Sequence, residues 1–138
     1  MPATLSNEPK AAMTTALILF AHGARDPEWA APLRRVQAAI RQQAGNTPVE
    51  LAFLEFMAPN LAECAATLVA AGAANILVVP MFIAQGGHLK RDVPEMLAQL
   101  RSTHPEVRFS LSGAIGEEEI VIKAMADAAL KLAGSEFA

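Results

Sequence analysis

The chain has 138 residues, a single cysteine and a formal net charge of -3, with 53% hydrophobic and 18% charged residues. This length fits one domain with its own hydrophobic core, while one cysteine excludes both an internal disulfide and a cysteine-based zinc cluster. The acidic balance without a Lys/Arg block argues against nucleic acid, and no apolar run nears the roughly 20 residues that cross a membrane, so we expect a cytoplasmic protein.

The chain begins with a polar segment and then alternates short apolar runs with helical patterns. Residues 1–13 lack the continuous apolar core of a signal peptide, and we interpret them as a flexible tail before a single domain of residues 14–138. The four apolar runs are short, which is typical of buried parallel strands. They cover approximately residues 16–21, 49–56, 76–83 and 107–112.

Each predicted strand is followed by a helix with a recognisable start. Asp26 caps the first helix and Asn60 opens the second. Pro94 falls in the first turn of the third helix, for which Asp92 is the expected cap, and the acidic residues 117–119 begin the fourth. The order βαβαβαβα predicts an α/β domain with a four-stranded parallel sheet and helices on both faces.

Three residues with metal-binding or acid–base chemistry follow the first three apolar runs. His22 comes after the first run, Glu55 closes the second, and His88 comes after the third. Because the carboxyl ends of parallel strands lie at one edge of the sheet, where ligands bind, we expect two imidazoles and a carboxylate to converge there. Such a set suits a borderline divalent ion such as cobalt, nickel, iron or zinc. The sequence therefore predicts a metal-handling site at this edge.

Three motifs around these residues also carry a family resemblance. They are His22-Gly-Ala-Arg-Asp26, Phe53-Leu-Glu55 with Pro59, and Pro80-Met-Phe with Gly87-His88 and Asp92-Val-Pro94. In this order and spacing they resemble the sirohydrochlorin chelatases, small class II chelatases that insert cobalt, iron or nickel into a modified tetrapyrrole. The resemblance runs from about Thr15 to Ala133, nearly the whole predicted domain.

The resemblance implies a function and a set of site residues. His22 and His88 match the family's metal-binding histidines, and Glu55 matches its active-site glutamate. The divalent metal is then a substrate, with no permanently bound cofactor, and sirohydrochlorin is the second substrate. Short members of the family work as homodimers, and this chain has the short form's length. Glu55 could attract the metal, accept a pyrrole proton or orient a histidine, and the sequence does not choose among these roles.

The surroundings of the two histidines suit a substrate with many carboxylates. Arg25, Lys90 and Arg91 flank the histidines, and Gly86-Gly87 leaves backbone amides accessible, so we expect these five residues to bind sirohydrochlorin. A wide, flat tetrapyrrole would remain largely exposed on one small domain, and a second subunit could supply the opposite wall.

Three rival functions fit parts of the same pattern. A histidine phosphatase needs an arginine just before its histidine, where this chain has Ala21. A flavodoxin-like nucleotide-binding module needs a phosphate-cradling loop, but the segment from Gly23 to Pro27 has one glycine and an early proline. A non-catalytic metal or tetrapyrrole carrier would keep the same ligands, so the sequence leaves it open. The physiological metal and the pathway also stay open, and we interpret His104 as structural.

Overall fold

The computed structural model describes residues 15–138, so the interpretation of residues 1–13 as a tail lies outside the described part. Four strands and four α-helices alternate along it. The strands are β1 (Thr15–Ala21), β2 (Val49–Phe53), β3 (Asn75–Pro80) and β4 (Arg108–Leu111). The helices are α1 (Ala31–Gln43), α2 (Leu61–Ala70), α3 (Gly87–Thr103) and α4 (Glu119–Glu136), and short 3-10 turns at Pro27–Ala30 and Ile115–Glu117 precede α1 and α4.

The sheet is fully parallel with strand order β2-β1-β3-β4, which confirms the predicted fold. The central strand β1 pairs Ala21 with Phe53 of β2 and Phe20 with Pro80 of β3. The first three strands therefore end at nearly the same level. The loops that follow them lie side by side at one edge of the sheet, which is where the candidate site is found.

Two hydrophobic clusters cover the two faces of the sheet. On one face, Ile18 and Val78 pack beneath α2 and α3, together with Leu68 and Leu97 from those helices. On the other face, a smaller cluster that includes Leu19 packs against α1 and its preceding turn. Apolar residues thus alternate between the two faces along β1, as a buried strand requires.

The predicted cap at Asn60 is confirmed, whereas the predicted cap at Asp26 is only partly right, because the first α-helix begins at Ala31. Asp26 Oδ1 accepts a hydrogen bond from the backbone N–H of Glu28 at 3.0 Å, but it caps the 3-10 turn rather than α1 itself. Asn60 Oδ1 accepts from the Glu63 N–H at 2.8 Å, and the Glu63 carboxylate accepts from the Asn60 N–H at 2.9 Å. This reciprocal capping box fixes the start of α2 next to the end of β2.

The start of the third helix differs from the prediction. α3 begins at Gly87, seven residues before Pro94, which therefore lies inside the helix rather than in its first turn. Asp92 likewise lies within α3 and is not its cap; the residue at the cap position is Gly86, in an extended conformation. The proline lacks an N–H and cannot donate to the carbonyl of Lys90, so the helix continues past one missing hydrogen bond.

The second and third strands are shorter than predicted. β2 ends at Phe53, and the chain then turns through Phe56, a left-handed residue with φ 69°. β3 ends at Pro80, yet Phe82 is still buried in the loop beyond it. The apolar sequence therefore extends beyond β3 because Phe82, a loop residue, belongs to the hydrophobic core.

Candidate functional site

The segments that follow β1 and β2 are joined by backbone hydrogen bonds beyond the strands themselves. The Leu54 N–H donates to the carbonyl of Ala21 at 2.8 Å, and the Glu55 N–H donates to the carbonyl of His22 at 3.0 Å. These bonds continue the parallel ladder by two residues. Glu55 and His22 are thereby placed next to each other at the strand ends, with both residues exposed to solvent.

Gly23 makes this close approach possible. Its φ is +90°, and a Cβ atom built on it would collide with the carbonyl oxygen of Glu55. A side chain at this position would therefore be both conformationally strained and sterically blocked. The His-Gly pair in the motif has a physical reason: the glycine lets the loop carrying His22 pack directly on the backbone of Glu55.

The His22 imidazole is held by an aromatic residue that the sequence reasoning did not assign to the site. The ring centroids of His22 and Phe82 are 4.4 Å apart with an angle of 36° between the planes. Phe82 is buried and also contacts Phe20 of β1, at 6.4 Å between centroids. The position of Phe82 in the Pro80-Met-Phe motif is the sequence signal that could have assigned it to the site. A core side chain therefore supports one face of an exposed imidazole.

Arg25 lies beside the same loops and contacts Phe56. The guanidinium carbon of Arg25 is 4.6 Å from the centroid of the Phe56 ring, within the range of a cation–π contact. Both side chains are exposed. The contact joins the β1 loop to the β2 loop a second time and leaves a cation at the rim of the site.

His88 is positioned by a helix instead of a strand end. It is the second residue of α3, and its Nε2 lies 3.0 Å from Oδ2 of Asp92, one helical turn later. The His88 side chain is 82% exposed. The sequence predicted a site role for His88 and a capping role for Asp92, whereas the structure pairs the two side chains. The Asp92 carboxylate thus lies within hydrogen-bonding distance of the imidazole, most of which is open to solvent.

The predicted substrate-binding residues lie around the start of α3. Gly86 and Gly87 are exposed and no side chain caps this end of the helix. Lys90 and Arg91 are exposed and form no ion pair with any residue from 15 to 138. Free amides at a helix start and two unpaired cations can bind carboxylates.

Within residues 15–138, no group of three or more His, Cys, Asp or Glu side chains is gathered closely enough to hold a metal ion. The expected convergence of two imidazoles and a carboxylate is therefore not assembled as one metal cluster in a single chain. His22 and Glu55 are neighbours through their backbones, whereas His88 is anchored separately on α3 by Asp92. His88 is separated from the end of β3 because a six-residue loop lies between β3 and α3.

An apolar cavity of about 230 Å³ lies between the ends of β1 and β2 and the helices α2 and α3. Its lining includes Phe53 and Leu54, which directly precede Glu55, and Met96 of α3. Asn60 and Gln99 provide its polar side chains. This cavity was not predicted from the sequence, because its walls come from four separate elements.

The single cysteine lies away from these loops in the core. Cys64 of α2 is buried, and burial raises the pKa of its thiol to about 12, with a further upward contribution from the Glu50 carboxylate. A thiol in this state is a poor nucleophile and a poor metal ligand. Cys64 therefore acts as a small core residue.

The fold and the site together define an α/β protein that presents histidine and carboxylate side chains at the carboxyl ends of its parallel strands. The CbiX family model matches residues 16–132, and the chain belongs to this family. No helix in the described part of the chain is long and apolar enough to cross a membrane.

Individual relatives agree with this assignment. The chain is 35% identical over 118 residues to a sirohydrochlorin ferrochelatase of Bacillus subtilis, covering 82% of this chain and 43% of the relative. It is 40% identical over 109 residues to a sirohydrochlorin cobaltochelatase of Saccharolobus islandicus, covering 75% and 84%. The crystal structure of a cobalamin biosynthesis CbiX protein from Marinobacter aquaeolei superposes with a TM-score of 0.78 at 27% identity, covering 88% and 98%. The chain spans about half the length of the first curated relatives that it matches.

Proposed function

We propose that this protein inserts a divalent metal, cobalt or iron, into sirohydrochlorin. The observation that carries the proposal is the arrangement of His22: an exposed imidazole at a strand end, supported by buried Phe82 and placed beside Glu55. The relatives named as sirohydrochlorin ferrochelatase and cobaltochelatase support the substrate and the reaction. Cobalamin and siroheme synthesis are the pathways that this reaction would serve, in the cytoplasm.

Metal insertion makes three demands on a protein. The metal must lose bound water, two pyrrole nitrogens must lose protons, and the macrocycle must be held where its nitrogens reach the metal. A neutral imidazole binds cobalt and iron and can replace one of their water ligands. His22 and His88 take this role in our proposal. Both are exposed, so a metal ion from solution reaches them without opening the domain.

Glu55 supplies the negative charge of the site. It stands next to His22 and accepts a pyrrole proton or attracts the metal. Glu55→Gln keeps the shape of the side chain but removes the charge, and it separates these roles. Loss of a proton acceptor slows insertion by about 10²–10⁴-fold at every metal concentration. Loss of metal attraction alone is restored by excess metal.

The carboxylates of sirohydrochlorin require cations at the rim of the site. Arg25, Lys90 and Arg91 provide them in our proposal, and the free amides at Gly86 and Gly87 add hydrogen-bond donors. The apolar cavity beside Leu54 accepts an uncharged edge of the macrocycle or one of its methyl groups. Charged and apolar surfaces thus adjoin the same strand ends, as an amphiphilic macrocycle requires.

A homodimer completes the proposed site. The chain spans about half of its longer relatives, and a flat macrocycle needs a second wall that one domain does not provide. A second copy supplies that wall under two-fold symmetry.

The experiment that tests the function is an anaerobic absorbance assay with sirohydrochlorin and cobalt, iron or nickel in turn. Catalysis predicts that each protein chain converts many equivalents of sirohydrochlorin faster than the metal reacts alone. A carrier would bind metal or tetrapyrrole stoichiometrically and leave the insertion rate at its uncatalysed value. That result would contradict the proposal.

A further inference from the structure

The loop between β3 and α3 carries the aromatic ring that supports His22. In the described part of the chain, residues 82–85 of this loop make one backbone hydrogen bond, in which the Phe82 carbonyl accepts from the Gly116 N–H at 2.9 Å. Gly116 lies far along the chain, in the turn before α4. The backbone position of Phe82 therefore depends on a segment that carries none of the predicted site residues.

Gly116 also packs against this loop through its own backbone. It is the buried residue of the 3-10 turn Ile115–Glu117. A Cβ atom on Gly116 would collide with the Cα atom, the carbonyl carbon and the carbonyl oxygen of Ile83. The Ile83 side chain is 73% exposed, so the contact joins two backbones directly. Glycine is the residue that permits this approach without moving either segment.

The contact between Gly116 and the loop reaches His22 through one side chain. Phe82, which precedes Ile83, is buried, and its ring centroid lies 4.4 Å from that of the exposed His22 imidazole. Because protein interiors are close-packed, a displaced loop backbone must move a buried ring or leave a void beside it. Either change removes the support from one face of the imidazole. A small shift at Gly116 is thus transmitted to the proposed metal ligand.

We propose that Gly116 is a positioning residue for His22 and acts through the loop that carries Phe82. Its N–H holds the loop by a hydrogen bond, and its missing side chain lets the two backbones meet. Phe82 in turn holds the imidazole. The expected effect on metal handling rests on the proposed function, whereas the effect on the imidazole is measured in the protein alone. The two can therefore fail separately.

Two glycines of the segment after β4 provide a matched pair of variants. Gly113→Ala and Gly116→Ala add the same methyl group, but a Cβ on Gly113 has nothing within 4 Å. We expect Gly116→Ala to displace the loop that carries Phe82, and Gly113→Ala to leave it in place. Circular dichroism and urea unfolding of both variants record any loss of fold separately from the loss of position.

Nuclear magnetic resonance of the imidazoles reports the position of His22 without metal or sirohydrochlorin. The chain has three histidines, and the ring current of a nearby aromatic residue shifts imidazole signals. Phe82→Leu provides the His22 signals in the absence of that ring. We expect the His22 signals of Gly116→Ala to move towards those of Phe82→Leu, while the His104 signals stay in place. Unchanged His22 signals, or equal changes in Gly113→Ala, would overturn the proposal.

Cobalt binding measured by calorimetry tests the consequence for metal handling. Groups that orient a ligand histidine from outside the metal's own ligands typically contribute 10–100-fold to metal affinity. We expect Gly116→Ala to bind cobalt about tenfold more weakly and to leave the KM for sirohydrochlorin unchanged. In a Phe82→Leu background the same substitution should have a much smaller effect, because the path to His22 is already broken. Equal losses in the two backgrounds would contradict action through Phe82.

The same link can be tested in the reverse direction if Gly116→Ala does not fold. Coupling between two positions is reciprocal, so loss of the His22 ring should loosen the loop and speed hydrogen exchange of the Gly116 amide. His104→Ala is the control, because it removes an imidazole that lies 6.1 Å from another buried ring, that of Phe109. We expect faster exchange at Gly116 in His22→Ala and wild-type exchange in His104→Ala. Wild-type exchange in both variants would overturn the proposal.

Discussion

The His22 imidazole lies 4.4 Å from the ring of Phe82, measured between centroids. One side chain is exposed and the other is buried, so a core residue sets the position of a site residue. The contact also links the end of β1 to the loop after β3. The proposed metal ligand is therefore part of the packing of the domain and not a freely moving surface side chain.

Replacing Phe82 should affect the site more than the fold. Phe82→Leu keeps an apolar side chain in the core, and we expect a loss of about 1–1.5 kcal/mol in the free energy of unfolding. His22 loses its aromatic support, and metal insertion should fall at least several-fold. Phe109→Leu is the control, because Phe109 is equally buried and lies 6.1 Å from the ring of another histidine, His104. Equal losses of insertion activity in both variants would show that His22 does not depend on Phe82.

Gly23→Ala should damage the site through the backbone. The new Cβ collides with the Glu55 carbonyl oxygen, and the alanine must also adopt a positive φ. Gly72→Ala separates the two effects, because Gly72 has a φ of +102° but nothing within 4 Å of its Cβ position. We expect Gly72→Ala to cost about 1–2 kcal/mol in urea unfolding and Gly23→Ala clearly more. Equal costs would mean that the two loops separate without penalty.

Asp92→Asn tests whether Asp92 positions His88. The His88–Asp92 pair is largely exposed, so its removal should change the free energy of unfolding by less than about 1 kcal/mol. A carboxylate that orients a ligand histidine typically contributes 10–100-fold to metal affinity. We therefore expect weaker cobalt binding by calorimetry at unchanged stability, with Glu95→Gln on the same helix as the control. Unchanged affinity in Asp92→Asn would remove Asp92 from the site.

The raised pKa of Cys64 predicts a stability change at alkaline pH. The native thiol keeps its proton to about pH 12, whereas an ordinary thiol loses it at about 9.0. Between these values the unfolded chain binds fewer protons than the native one, so stability falls as pH rises. The slope is at most about 1.4 kcal/mol per pH unit. Cys64→Ala should lack this component in urea titrations, and identical pH slopes for both proteins would contradict the assignment.

Much of the fold could be predicted because local signals and tertiary packing agree. β1 is apolar and central, and its predicted span differs from the observed one by one residue. Asn60 begins α2 with a capping box that depends on only four residues. The parallel sheet with helices on both faces follows from the alternation of strands and helices.

The remaining features depend on contacts between segments that are distant in sequence. The apolar character of Phe82 predicts a strand residue. Phe82 instead lies in a loop, where its buried ring contacts His22. His88 belongs to a helix that begins at two glycines, which are poor helix formers.

The most direct test of the central claim is the rate of anaerobic metal insertion into sirohydrochlorin by the wild type, His22→Ala and His104→Ala. His104 is a half-buried histidine far along the chain from the site and serves as the control. We predict a wild-type rate well above that of metal and sirohydrochlorin alone, a loss of about 10²-fold or more in His22→Ala, and near wild-type activity in His104→Ala. A wild-type rate equal to the uncatalysed rate, or full activity in His22→Ala, would contradict the account.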